Sequence, residues 1–217
     1  MKNEFLKRIL SSIFLIPLVI LCIVKGSMFF NFFLGTCFLI TLYEWYKMTK
    51  NKIYNIFGIF FLIFSFYSIF KLRNIFDGDY WLFIFTLLVC ISTDIGGYIF
   101  GKIFKGPKLT KLSPNKTYTG MIGSYFLTII VLYFYLTNSY LISPVDITAN
   151  VFIFIFLISS VSQIGDLIVS YFKRLNKIKD TGKIIPGHGG ILDRIDGMLF
   201  AFPFVYYLIL NELIDIF

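Results

Sequence analysis

Apolar stretches at 9–24, 28–46, 53–70, 80–101, 120–136, 151–172 and 191–210 dominate this chain, and short polar loops separate them. Each comes near the roughly 20 residues that a helix needs to cross a bilayer. In lipid no water satisfies exposed backbone groups, so such segments fold as helices whose hydrogen bonds are internal. Hydrophobic residues make up 58% of the 217 positions and charged residues 15%, proportions that exclude an ordinary water-soluble domain. The chain therefore reads as an all-α, polytopic integral membrane protein of about seven to nine transmembrane helices. One membrane domain covers 1–217, with N-terminal spans in 1–79 and the spans and loops that carry the candidate chemistry in 80–217. Lys2, Lys7 and Arg8 before an apolar run have the look of a signal peptide. No small-residue cleavage site follows, which favours an uncleaved first helix. Cys22, Cys37 and Cys90 lie singly inside apolar runs and read as packing residues.

Twenty Lys and Arg against 12 Asp and Glu give a formal net charge of +8. In a membrane protein such an excess collects in cytoplasmic loops facing anionic lipid. The bases sit in short loops, not on a polar domain, so nucleic acid is not an expected partner. Lys47, Lys50 and Lys52 mark one basic loop, and Lys102, Lys105, Lys108, Lys111 and Lys116 mark another that holds no acid. The 137–150 segment has no Lys or Arg, as an external loop can. Alternation of the spans then puts the five-lysine loop and the 170–196 segment on the same cytoplasmic side, where nucleotides are found. Ser92, Thr93, Asp94, Gly96 and Gly97 interrupt the fourth stretch, which is one span or a shorter helix with a re-entrant piece. Glu44 and Trp45 close the second stretch, where an interfacial aromatic belt accounts for the tryptophan.

The 170–196 segment gathers six basic residues, the only histidine and three aspartates between two apolar stretches. Just before it, Asp166 lies inside an apolar run, where a carboxylate costs about 2.5–3.5 kcal/mol on insertion scales and needs a partner. Helical spacing puts Asp166, Ser170, Lys173 or Arg174, and Lys177 on one face. An intrahelical ion pair with a snorkelling Lys173 is the plainer alternative. Asp193 and Asp196, three residues apart, point the same way from the first turn of the last stretch. Alone they read as capping acids; together with Asp166 they read as a platform for Mg2+, which takes a few carboxylates plus water and phosphates. Between them Pro186, Gly187, His188, Gly189 and Gly190 form a turn that feeds a helix N-terminus, where free N–H groups favour anions. Flanking bases, Lys173, Arg174, Lys179 and Arg194 among them, make phosphate a natural ligand. His188 is either a phosphate donor or proton carrier, or a turn residue. A second constellation holds Asp94, Lys116 and Thr117 near Gly97, Gly101, Gly120 and Gly123, and those glycines can equally be helix-packing surfaces.

In order and spacing, Ser170, Phe172, Lys173, Arg174, Lys179, Asp180, Gly182, Ile185, Pro186, His188, Gly189, Gly190, Ile191, Asp193, Arg194, Ile195 and Asp196 resemble the signature of the phosphatidate cytidylyltransferases, the CDP-diacylglycerol synthases. Gly165 with Asp166, Asp94 with Gly97, Tyr98 and Gly101, and Ser113-Pro114 with Lys116, Thr117 and Gly120 are similar to that family's other polar segments. The likeness is close over roughly the C-terminal three fifths and general in the N-terminal spans. Two positions depart from it: Thr119 and Val169 stand where relatives commonly carry glutamate.

The resemblance implies that CTP and phosphatidic acid give CDP-diacylglycerol and pyrophosphate. Asp166, Asp193 and Asp196 would hold Mg2+, with room for a second, monovalent cation. Lys173, Arg174, Lys179 and Arg194 would bind phosphates, with Asp94, Lys116, Thr117, Asp180, Gly189 and Gly190 completing the pocket and His188 positioning. It further implies a homodimer in a bacterial inner membrane with its site facing the cytoplasm. The rival readings are a cation-coupled transporter that uses Asp94 and Asp166 near mid-membrane, and a related CTP-dependent lipid kinase. The first leaves the glycine turn and its basic flanks without a use, and the full signature argues against the second.

Overall fold

The computed structural model describes residues 17–75, 80–110, 113, 116–138, 148–185 and 189–213. Its helices are α1 (Ser27–Thr49), α2 (Tyr54–Arg73), α3 (Trp81–Phe104), α4 (Tyr118–Asn138), α5 (Ala149–Leu175), α6 (Leu192–Ile195) and α7 (Met198–Leu210). Residues 17–25 are helical as well. Among the described residues the only β pairing is two isolated bridges, Lys108 with Thr117 and Ile185 with Gly189. The fold is all-α and polytopic, with five helices, α1 to α5, long and apolar enough to cross a membrane.

Five of the seven expected spans correspond to α1 to α5. The 9–24 stretch falls partly outside the described residues. The 191–210 stretch divides into α6 and the 13-residue α7, although Asp196 (φ −55°) and Gly197 (φ −66°) keep right-handed helical backbone between them. The fourth stretch is a single unbroken α3 of 24 residues, without a re-entrant piece. At 27 residues α5 is the longest helix among the described residues. At 1.5 Å per residue it runs about 40 Å, more than the hydrocarbon core requires, so one end can carry charge beyond the lipid.

The chain forms two compact units, Met1–Phe70 with Phe172–Asp196, and Lys71–Tyr171 with Gly197–Phe217. In the first, Trp45 is buried. Its indole N–H donates to the Asn55 carbonyl at 3.1 Å, its ring meets Phe172 edge-on at 5.3 Å, and it lies over the bare Cα of Gly58. Trp45 is thus a packing centre, not a residue of the interfacial belt. Tyr54 also packs on Phe172, and its hydroxyl donates to Asn176 Oδ1 at 2.9 Å. These contacts tie the last turn of α5 and Asn176 just after it to the residues flanking the α1–α2 turn.

In the second unit α3 and α4 approach through small residues. A Cβ on Gly96 would stand 2.8 Å from both the Gly123 carbonyl and Ser124 Cα, and one on Gly120 would stand 2.7 Å from the Gly97 carbonyl. Close backbone approach of this kind replaces the hydrophobic drive that lipid cannot supply. Buried hydroxyls extend it to α5: Thr93 Oγ1 lies 2.8 Å from Ser159 Oγ and 3.3 Å from Thr128 Oγ1, and Ser124 Oγ donates to the Thr93 carbonyl at 2.7 Å. Because the atoms facing Gly96 are largely backbone, Gly96→Ala should force α3 and α4 apart at a cost of about 1–3 kcal/mol. A lowered melting temperature in detergent would register it.

Candidate active site

In the first unit the site begins where α5 stops. Lys177 takes left-handed backbone (φ 56°), its N–H donates to the Arg174 carbonyl and the Ile178 N–H to the Lys173 carbonyl, both at 3.0 Å. That pair of bonds is a Schellman closure, which satisfies carbonyls a helix end leaves open. Lys177 therefore turns the chain instead of continuing the Asp166–Ser170–Lys173 face. Lys173, on the last turn, is only 8% exposed. Its ammonium lies 2.9 Å from Asp193 Oδ1 and 3.7 Å from Asp196 Oδ2. Two hard carboxylates thus converge on one cation.

Asp193 Oδ2 accepts the Thr181 N–H at 2.8 Å and the Gly190 N–H at 3.0 Å. Burial alone would raise the Asp193 pKa, but the Lys173 charge and hydrogen bond, with the two N–H donors, outweigh it and hold the carboxyl below its ordinary value. The turn itself is closed by reciprocal bonds between Ile185 and Gly189, at 3.0 and 3.2 Å. Gly189 sits at φ 91°, with only 3.0 Å between a would-be Cβ and Asp193 Oδ2, so a side chain there would be strained and would crowd that carboxylate.

One residue that local sequence patterns did not mark completes this cluster. Glu44, near the end of α1, is 1% exposed. Its Oε2 accepts the Thr181 hydroxyl at 3.1 Å and the Leu192 N–H at 2.9 Å, and its Oε1 accepts the Ile191 N–H at 3.2 Å. The Gly190, Ile191 and Leu192 N–H groups, expected to face phosphate, are therefore taken by the protein's own Asp193 and Glu44. The signal that could have found Glu44 is the one applied to Asp166: an acid inside an apolar run needs partners.

In the second unit Lys116 Nζ pairs with Asp166 Oδ2 at 2.5 Å, and Ser170 Oγ donates to Asp166 Oδ1 at 3.3 Å. Asp166, expected as a third metal ligand, has Lys116 as its cation. Thr117 caps α4, its Oγ1 accepting the Gly120 N–H at 3.1 Å. Thr119 lies 3.0 Å from that hydroxyl and receives the Gly106 N–H at 3.2 Å, which closes the basic loop locally. Asp94 is exposed midway along α3.

The other expected residues divide by exposure. Arg174, Lys179, Asp180 and Arg194 are exposed, free of the burial that binds Lys173 to the aspartates. Arg174 also donates to the Ile178 carbonyl at 3.0 Å. Pro186, Gly187 and His188 lie outside the described residues. Among the described residues no group of three or more His, Cys, Asp or Glu is arranged to hold a metal. What the structure supplies is the two-carboxylate set around Lys173.

Residues 51–211 match the profile of the cytidylyltransferase family. This chain belongs to that family. It is similar to the phosphatidate cytidylyltransferase of Rickettsia felis, at 32% identity over 216 residues that cover 95% of this chain and 93% of that protein. The Rickettsia conorii phosphatidate cytidylyltransferase is 34% identical over 206 residues, 91% of this chain and 88% of its own. The Staphylococcus aureus (strain COL) protein of the same name is 41% identical over 137 residues, 59% of this chain and 49% of its own. In this cytidylyltransferase the Lys173–Asp193–Asp196 cluster lies within the matched region, and Glu44 lies before it.

Proposed function

We propose that this member of the cytidylyltransferase family is a phosphatidate cytidylyltransferase, joining CTP and phosphatidic acid into CDP-diacylglycerol and pyrophosphate. The observation that carries this reading is the near end-to-end similarity to phosphatidate cytidylyltransferases, 95% of this chain against 93% of the Rickettsia felis protein. The signature segment adds physical support, since it buries a lysine between two aspartates and leaves further bases exposed beside them.

A phosphate oxygen of phosphatidic acid forms the new bond to the α phosphorus of CTP, and the bond from that phosphorus to the bridging oxygen breaks, so that pyrophosphate leaves with the electron pair. Both reactants are anions, and their repulsion is the main obstacle. Positioning and charge neutralisation supply most of the catalysis in phosphoryl chemistry. Arg174, Lys179 and Arg194 are the exposed bases assigned to phosphate groups, and arginine adds a planar two-pronged fork. Lys173 holds the aspartates in place. The phosphate of the lipid is already ionised near neutral pH, so no residue must remove a proton from it.

Asp193 and Asp196 fit Mg2+ by the chemistry of their hard oxygen donors and are the residues that would hold it, in competition with the Lys173 ammonium that they now share. Bound there, the ion would supply charge neutralisation to the nucleotide phosphates. Asp166 is assigned to hold Lys116 in place through their ion pair. The clustering of bases in its loops supports a cytoplasmic site in a bacterial inner membrane, and a homodimer is expected from the family resemblance alone. Incubation of the detergent-solubilised protein with CTP, phosphatidic acid and Mg2+ should release pyrophosphate only when both substrates are present. Release from CTP alone, or none from the complete mixture, would refute the assignment.

A further inference from the structure

We infer that Glu44 is a positioning residue of the reaction, holding the backbone at 181 and 190–192 in the shape that fixes Asp193 and Asp196 as the metal-facing pair. This inference rests on the Mg2+ reading above. A buried carboxylate costs several kcal/mol unless hydrogen bonds compensate it. Glu44 is 1% exposed, and its three bonds all reach residues 137 to 148 positions away along the chain. Among the described residues no Lys or Arg pairs with it; N–H and hydroxyl donors alone meet its oxygens.

The same backbone serves both acids. Thr181 gives its hydroxyl to Glu44 and its N–H to Asp193. Gly190 gives its N–H to Asp193, and the next two residues give theirs to Glu44. A shift of one carboxylate must therefore displace donors of the other. Two glycines keep the space clear: a Cβ on Gly190 would lie 2.5 Å from Glu44 Oε2, and one on Gly182 would strike Oε1. A cap for a four-residue helix needs no charge and no reserved space on two flanking turns. Groups that orient metal ligands behave in this way, and their loss typically costs about 10–100-fold in metal affinity or activity.

The test compares wild type, Glu44→Gln and Glu44→Asp, purified in detergent, by thermal unfolding with and without Mg2+ and CTP and by the Mg2+ dependence of turnover. A ligand that binds the folded protein raises its melting temperature. Wild type should show that rise. Glu44→Gln, folded with its own cooperative transition, should lose it and need about 10–100-fold more Mg2+ for half-maximal turnover, with the KM for phosphatidic acid unchanged. Glu44→Asp should recover part of both. If Glu44→Gln does not fold, Thr181→Val, which removes one of the three bonds, should move the Mg2+ requirement in the same direction. An unchanged Mg2+ requirement in the folded variants, with activity falling only as the folded fraction falls, would make Glu44 a purely structural residue and overturn the inference. Absence of the rise in wild type would instead overturn the Mg2+ reading beneath it.

Discussion

Lys173→Met should destabilise the protein by about 3–5 kcal/mol, the cost of leaving a buried charge without its partner. Methionine keeps most of the side-chain volume, so the loss reports charge and not a cavity. Asp193 Oδ1, 2.9 Å from the ammonium, would lose its cation. Asp196, 3.7 Å away and 5% exposed, would lose a nearby positive charge. Chemical unfolding in detergent measures the change. The double variant Lys173→Met with Asp193→Asn should be more stable than Lys173→Met alone, because it removes the orphaned charge, and yet be inactive. A single variant within about 1 kcal/mol of wild type would mean that the buried pair resembles a solvated surface pair.

Asp193→Asn should lower kcat/KM by roughly 10³-fold, the scale of losing one preorganised electrostatic group. The change also breaks a local pattern, since an amide offers one acceptor oxygen where Asp193 meets three donors from Lys173, Thr181 and Gly190. Acid stability provides a second readout. Asp193 has a depressed folded-state pKa, so its contribution is fully present above the unfolded value of about 3.9 and is lost as pH falls through the lower folded value. Wild type should therefore exceed Asp193→Asn in stability at neutral pH, and the gap should close only in strong acid. A gap that closes already near neutrality would contradict the assigned interactions.

The helices were legible because apolar stretches of near-membrane length leave the backbone few alternatives. The cluster of Lys173, Asp193 and Asp196 was legible because it lies within one short charged segment. The joining of Glu44 to Thr181, Ile191 and Leu192 was not, since nothing in local spacing marks a contact across 137 to 148 positions. Trp45 was misread for a related reason: a tryptophan at the end of an apolar stretch has the same local pattern at an interface or beneath a neighbouring segment, and Phe172 and Gly58 decide between them. The glycine turn shows a different failure. Its place before a helix N-terminus was apparent, but whether the N–H groups there would meet phosphate or the protein's own acids depended on Asp193 and Glu44 being folded against them.

The most direct test follows the fate of each phosphate of CTP. Protein supplied with phosphatidic acid, Mg2+ and CTP labelled at the α phosphate should transfer label into lipid, while CTP labelled at the γ phosphate should put all its label into pyrophosphate. Label from the γ phosphate in the lipid would identify a kinase and contradict the cytidylyl-transfer account.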